Sequence, residues 1–316
     1  MRCLHHLRQT SIAASALMIM SITLSQQAEA APLNVLWYGQ SGPTSSSAQR
    51  HTTQYNDAIG DIPGDAGATW NLAFWEETGP VPDFNAYDVF FIGTGEPFGD
   101  GFERDRLLTN KGAITAARGS RTLLSGLNPD NRYKHYFNYN PNGRFDDRLA
   151  ATKDFIVDAV NWAGQGEGLN IVSMVDHTYG PSGWDDENWW LAPDSFLKEE
   201  LGGFVLYEGL EDTRFNRDTY DDVEITDMSH PANLNSTSVS LDFWGFSGHA
   251  AFTPGLEGYA PIQALGSDAT LAATVVSDRA EAVAVATPNT VFSLVTGLVL
   301  ILGMATLTNR RRLVSG

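Results

Sequence analysis

Five short apolar runs, separated by stretches with helical spacing, constrain the first 175 residues more than any other feature. They are residues 34–38, closed by Gly39; 69–74; 87–92, closed by Gly93-Thr94-Gly95; 121–124, ended by Gly126; and 169–175. Short runs rich in aromatic and β-branched residues and bounded by turn residues read as buried strands. Between them, residues 54–59, 102–117 and 148–163 read as helices. The last carries Leu149, Phe155, Ile156, Val160 and Ala163 at the spacing of one helix face. Strands alternating with helices imply βαβ units and a parallel sheet. The fold class expected is α/β, a doubly wound, mostly parallel sheet. Ligands in such sheets bind beyond the carboxyl ends of the strands, which points to residues 39–43, 93–99, 126–132 and 176–179. Residues 180–260 read as an irregular elaboration with one strand at 223–226. Residues 264–277 are expected to return one or two strands to the sheet.

The two ends carry a different signal. Residues 11–24 are apolar, follow Arg2 and Arg8, and precede Ala28-Glu29-Ala30. A basic start, a short apolar run and a small-x-small site form a secretory signal. Signal peptidase is therefore an expected partner, with a mature start at Ala31. Residues 291–307 hold no charge, and Arg310, Arg311 and Arg312 follow closely. That length reaches the lower edge of what spans a bilayer, and the arginines favour a cytoplasmic tail over 308–316. The expected order is signal peptide 1–30, folded body 31–277, linker 278–290, membrane helix and basic tail. The tail resembles the PEP-CTERM sorting signal of Gram-negative bacteria, in which a Pro motif, a spanning helix and an Arg cluster follow one another. That resemblance implies processing by an exosortase-like enzyme and delivery to the cell envelope or the exterior. The motif departs from Pro-Glu-Pro and reads Thr287-Pro288-Asn289. A plain C-terminal membrane anchor is the alternative reading.

Without residues 1–30 and 286–316, which hold five Arg and one Glu, the body keeps 15 basic and 37 acidic residues, a net charge of −22. That charge argues against nucleic acid, whose binders supply cations to phosphates. It also offers oxygen ligands for Ca²⁺, with Asp218, Asp221 and Asp222 as a cluster that lacks EF-hand spacing. Cys3 is the one cysteine and lies in the signal. A mature chain from Ala31 thus has no disulfide, thiolate metal site or cysteine nucleophile.

The strand at 87–92 running into Gly93-Thr94-Gly95-Glu96-Pro97-Phe98-Gly99 resembles the glycine-rich loop of class I glutamine amidotransferase-like domains, with ThuA-like members nearest. The resemblance implies a flavodoxin-like fold. In that family a nucleophilic Cys follows the next strand. Here that loop reads Ser125-Gly126-Leu127-Asn128-Pro129, so amidotransferase chemistry does not carry over. A phosphate cradle at 93–99 is disfavoured by Pro97, which lacks an N–H, and by Glu96 and Asp100. A tight turn needing positive φ is the structural alternative there. Ser125 is a candidate nucleophile if His177 or His249 reaches it.

Other groups complete the candidates. Asp176 and His177 follow a strand, His249 lies in a Gly-rich aromatic loop, and Glu96 can serve as acceptor or base. His230 joins the histidines as a metal-ligand candidate, although no helical spacing pairs them. Trp184, Asp185, Asn188 and Trp189 combine flat apolar faces with hydrogen-bonding groups, as carbohydrate sites do. A second aromatic, polar loop is expected at 133–139. The leading expectation is binding of a small polar ligand such as a carbohydrate, with Gly93 and Gly95 at the site and no resident cofactor. A glycan or ester hydrolase using Glu96, Asp176, His177 and His249 is one alternative. A structural surface protein is the other.

Overall fold

The computed structural model describes residues 31–38, 46–65, 69–75, 79–93, 104–140, 142–174, 205–206, 223–242, 251–266 and 268–279. Every element below lies in one compact unit within Leu33–Gly316. Five strands run parallel: β1 (Leu33–Tyr38), β2 (Trp70–Phe74), β3 (Val89–Ile92), β4 (Arg118–Ser125) and β5 (Leu169–Met174). Short strands β6 (Val205–Leu206), β7 (Val223–Ile225) and β8 (Ala251–Phe252) follow, then β9 (Ala260–Leu265) and β10 (Ala272–Asp278). The sheet runs β2-β1-β3-β5-β4-β10-β8-β6, with β9 on β10 and β7 on β9. The last five strands pair antiparallel, so the sheet is mixed but parallel at its centre.

Helices α1 (Ser46–Asp65), α2 (Arg104–Thr109), α3 (Lys111–Ala117), α4 (Pro129–Asn138), α5 (Asp146–Ala163) and α6 (Ser238–Asp242) complete the elements, with short 3-10 turns at Phe84–Ala86 and Pro231–Asn233. Strand order decides which helices share a face. The steps β1 to β2 and β4 to β5 both move toward the β2 edge, so crossovers of one hand put α1, α4 and α5 on the same side. The step β3 to β4 moves the other way and puts α2 and α3 opposite. The core divides accordingly. Trp37, Phe91, Leu123 and Val172 pack with Tyr55, Ile59, Tyr133 and Phe155. Their alternate neighbours Leu36, Phe90, Leu124 and Ile171 pack with Phe84, Leu107 and Ile114. Alternation along each strand thus feeds two cores, and the reading of an α/β fold with a mostly parallel sheet holds.

Three expectations need correction. Flavodoxin-like sheets run 2-1-3-4-5, whereas here β5 lies between β3 and β4. The chain returns by one position through α4 and α5, and β10 takes the other edge of β4. The helix expected at 54–59 spans Ser46–Asp65; its first turns are polar, so only Tyr55, Ala58, Ile59 and Ile62 mark the buried stripe. The aromatic loop expected at 133–139 is largely helix α4. Tyr133 and Tyr136 point inward, while Phe137 and Tyr139 are exposed.

The amino ends of the central strands are stapled by Asn170. Its Oδ1 accepts from the Arg121 backbone N–H at 2.8 Å, and its Nδ2 donates to the carbonyls of Gly168 (2.9 Å) and Asp88 (3.1 Å). Gly168 turns at φ +73° and lies so close to Gly119 that a Cβ would fall 3.0 Å from its Cα. Asn170 in β5 thus ties that strand to β4 and to the residue preceding β3.

Candidate functional site

At the carboxyl ends, β1 sends Trp37 to one face and Tyr38 to the other. Trp37 stacks on Phe91 with ring centroids 3.6 Å apart. Its indole Nε1 donates to the Tyr55 hydroxyl at 3.0 Å, and that hydroxyl donates to Asp130 Oδ2 at 2.6 Å. Asp130 is fully buried in the first turn of α4, just after Pro129. Burial, then the Asp130 charge and hydrogen bond, raise the Tyr55 phenol well above its ordinary range. Tyr55 therefore remains a donor and holds Asp130 in place. It is not a base.

Gly93 caps β3 directly over this pair. Its N–H donates to the Tyr38 carbonyl at 2.8 Å. A Cβ on Gly93 would sit 2.6 Å from both Asp130 Oδ2 and the Tyr55 hydroxyl. Glycine is required here by close approach. Among the described residues positive φ is found at Gly143, Gly168, Gly255 and Gly258 and not at Gly93; residues 94–99 of the expected positive-φ turn lie outside the described residues.

Ser125 ends β4, and its hydroxyl is committed. Asn233 Nδ2 donates to the carbonyls of Asp227 (2.9 Å) and Ile262 (3.2 Å), which fixes its amide orientation. Its Oδ1 must then accept from Gln263 Nε2 at 2.8 Å, leaving Gln263 Oε1 to accept from the Thr274 hydroxyl at 2.6 Å. Thr274 has one proton, so Ser125 donates to Thr274 at 2.9 Å and accepts from the Leu127 N–H at 3.2 Å. All four side chains are buried. This is a one-way polar chain that ties β4 to β10 and β9. It gives no opening for proton abstraction from Ser125 and weighs against the nucleophile reading.

His230 is a capping residue. Its Nδ1 accepts from the Ala232 N–H at 3.2 Å, and its ring packs 5.1 Å from Trp162. Burial lowers its pKa, outweighing the pull of Asp227. The neutral ring and occupied Nδ1 suit a structural role. Among the described residues no group of three or more His, Cys, Asp or Glu is placed to hold a metal ion.

Glu96, Asp176, His177, His249, Gly95, Trp184, Asp185, Asn188 and Trp189 lie outside the described residues, as do Asp218, Asp221 and Asp222. Of the expected site, the described part contains Gly93 and the turn after β4. The segments 1–30 and 291–307 are also outside; among the described residues no helix is long and apolar enough to cross a membrane.

Unexpected groups gather at the same end of the sheet. Asn128, at the N-cap of α4, makes no capping bond. Its Oδ1 is buried with no hydrogen-bond partner among the described residues, as are Ser173 Oγ near the end of β5 and Trp75 Nε1 just beyond β2. A buried polar atom without a partner is uncommon enough to need a reason. Ser236 Oγ is a further case, away from this end. One turn after Asp130, Lys134 is only 6 % exposed, and burial lowers its pKa to about 8. Sequence reasoning does not single out Tyr55, Trp75, Asn128 or Lys134. For Asn128 a signal exists: it precedes Pro129, and proline favours the first helical position.

No family model, no curated protein and no solved structure matches this chain.

Proposed function

We propose that this chain is an exported, envelope-associated α/β domain without amidotransferase activity. It binds a small polar ligand such as a carbohydrate beyond the carboxyl ends of the parallel strands. One observation carries the reading: the unpartnered acceptor Asn128 Oδ1, buried where β4 hands over to α4. Open α/β sheets bind ligands at this end, and a sugar hydroxyl is a donor of the kind this oxygen lacks. The buried Ser125 chain favours binding over hydroxyl-based hydrolysis. Export, anchoring and exosortase-like processing are part of this proposal and rest on the two apolar ends.

The test uses the full chain expressed in a Gram-negative host and recovered from the envelope fraction, where a start at Ala31 is expected. Thermal unfolding is followed with a panel of neutral sugars at millimolar concentration, and the same sugars as chromogenic glycosides and esters report turnover. A rise in Tm with at least one sugar and no turnover is the expected result. Turnover would replace this reading with the hydrolase, and absence of both with the structural surface protein.

A further inference from the structure

On the other face of the same end, Trp75 and Arg106 form a second group. Trp75 follows β2, continues its ladder by donating N–H to the Trp37 carbonyl at 2.9 Å, and is 3 % exposed. Its ring is fixed on several sides. Tyr38 lies 4.8 Å away, Phe84 5.3 Å edge-on and Phe90 6.0 Å, centroid to centroid. The Arg106 guanidinium stands over the ring at 5.0 Å. Arg106 Nη2 donates to the Gly79 carbonyl, which fixes the plane of the fork. Two donors are left over. Trp75 Nε1 and Arg106 Nη1 are both buried, and neither has a hydrogen-bond partner among the described residues.

We propose that Trp75 Nε1 and Arg106 Nη1 form a subsite for a carboxylate. Resting on the carbohydrate reading above, this makes the ligand an acidic sugar, a uronic acid. Both groups donate only, so what they bind must accept. One belongs to a half-buried cation without an ion-pair partner among the described residues, and a cation partly withdrawn from water favours a counter-charge. A neutral hydroxyl would satisfy the geometry and leave the charge uncompensated. A carboxylate supplies two acceptor oxygens and one negative charge, matching one charge-assisted bond and one neutral bond. The fixed ring and fork mean that little is ordered on binding. The body's net charge of −22 disfavours an anion at long range. That repulsion is screened by salt, whereas the buried contact is screened much less. Binding should therefore persist or strengthen as salt rises, the opposite of a surface basic patch.

The experiment titrates the full chain with glucuronate, galacturonate, their parent sugars glucose and galactose, acetate, lactate and inorganic phosphate. Affinity is read by calorimetry. Contact is read from the indole N–H resonance of Trp75, assigned by its loss in Trp75→Phe. A uronate is expected to bind about tenfold or more tightly than its parent sugar, from one charge-assisted bond, and to move the Trp75 resonance. Arg106→Gln should reduce the uronate to the level of the parent sugar, with far-UV circular dichroism confirming the fold. If that variant fails to fold, the wild-type resonance decides. Parent sugars binding as well as uronates with the resonance unmoved overturns the subsite and leaves the carbohydrate reading standing. Acetate or lactate moving the resonance while no sugar binds keeps the subsite and removes the carbohydrate. Stronger binding of phosphate than of any carboxylate overturns the ligand class. Silence from every probe overturns both, the two donors then being satisfied by water.

Discussion

Gly93→Ala is expected to lower folding stability by about 3 kcal/mol, the upper range for overpacking a site that cannot relax. The added carbon would meet two atoms at once, Asp130 Oδ2 and the Tyr55 hydroxyl, each at 2.6 Å. Neither can yield alone. Tyr55 is held by Trp37 on one side and Asp130 on the other, and Asp130 sits in the first turn of α4. The backbone of Gly93 is tied to Tyr38. Tyr55→Phe removes one of the two obstructing atoms, so the penalty of Gly93→Ala should be smaller in that background, a coupling read by a double-mutant cycle. Gly60→Ala is the control. It lies in α1, and a Cβ there would meet nothing within 4 Å, so alanine should stabilise by about 1 kcal/mol through helix propensity. Urea unfolding of the parent and these variants measures all of this. A Gly93→Ala protein as stable as the parent would contradict the close packing of β3 on the Tyr55–Asp130 pair.

Lys134→Met is expected to stabilise the protein by about 1 kcal/mol at pH 7, because burial disfavours the charged amine and Met keeps a similar volume. Met and Lys have similar helix propensity, so α4 should not suffer. The physical cause is burial, which brings the Lys134 pKa from 10.5 to about 8. The sign follows from proton counting. Between pH 8 and 10.5 the unfolded chain holds a proton on this lysine that the folded chain has released. The wild type should therefore gain stability as pH rises through that window, and below it the penalty is fully present. The advantage of Lys134→Met over wild type should shrink toward pH 10.5, a difference that cancels the other titrating groups. Denaturant unfolding of both proteins across this range checks it. A Lys134→Met variant less stable than wild type at pH 7 would mean that the charged amine is well accommodated.

Much of the fold was legible because strands and helices announce themselves locally. The runs at 34–38, 69–74 and 87–92 became β1, β2 and β3 because each is short, apolar and bounded by turn residues. The sheet order was not legible, since nothing in residues 118–174 says that β5 will insert between β3 and β4. Helix α1 was half legible. Tyr55, Ala58, Ile59 and Ile62 show the stripe, but Gly60 and Pro63 read locally as breakers and are overruled by burial of the isoleucines. The residues at 133–139 show how aromatic content misleads: Tyr133 and Tyr136 lie three apart on one helix face, a spacing easily taken for a cluster of ring platforms.

The candidate site was less legible for a different reason. Gly93 stood out because glycine after a strand is a turn signal, yet its function depends on Tyr55 and Asp130, which only tertiary packing brings beneath it. Trp75 and Arg106 carry no motif, and their meaning arises from a guanidinium standing over the ring and one buried donor on each without an acceptor among the described residues. Ser125 looked available in the sequence and is engaged at both its donor and acceptor functions. A hydroxyl's freedom depends on neighbours distant in sequence, here Thr274 and, through it, Gln263 and Asn233.

The most direct test is a residue-resolved map of amide and indole shifts on adding the sugar that raises Tm. The backbone amides of Gly93 and Asn128 should move, together with the side-chain amide of Asn128, while Gly168, Asn170 and Arg121 at the opposite end of the strands stay still. Shifts confined to Gly168, Asn170 and Arg121, or to the segment 223–242, would contradict a ligand site at the carboxyl ends of the sheet.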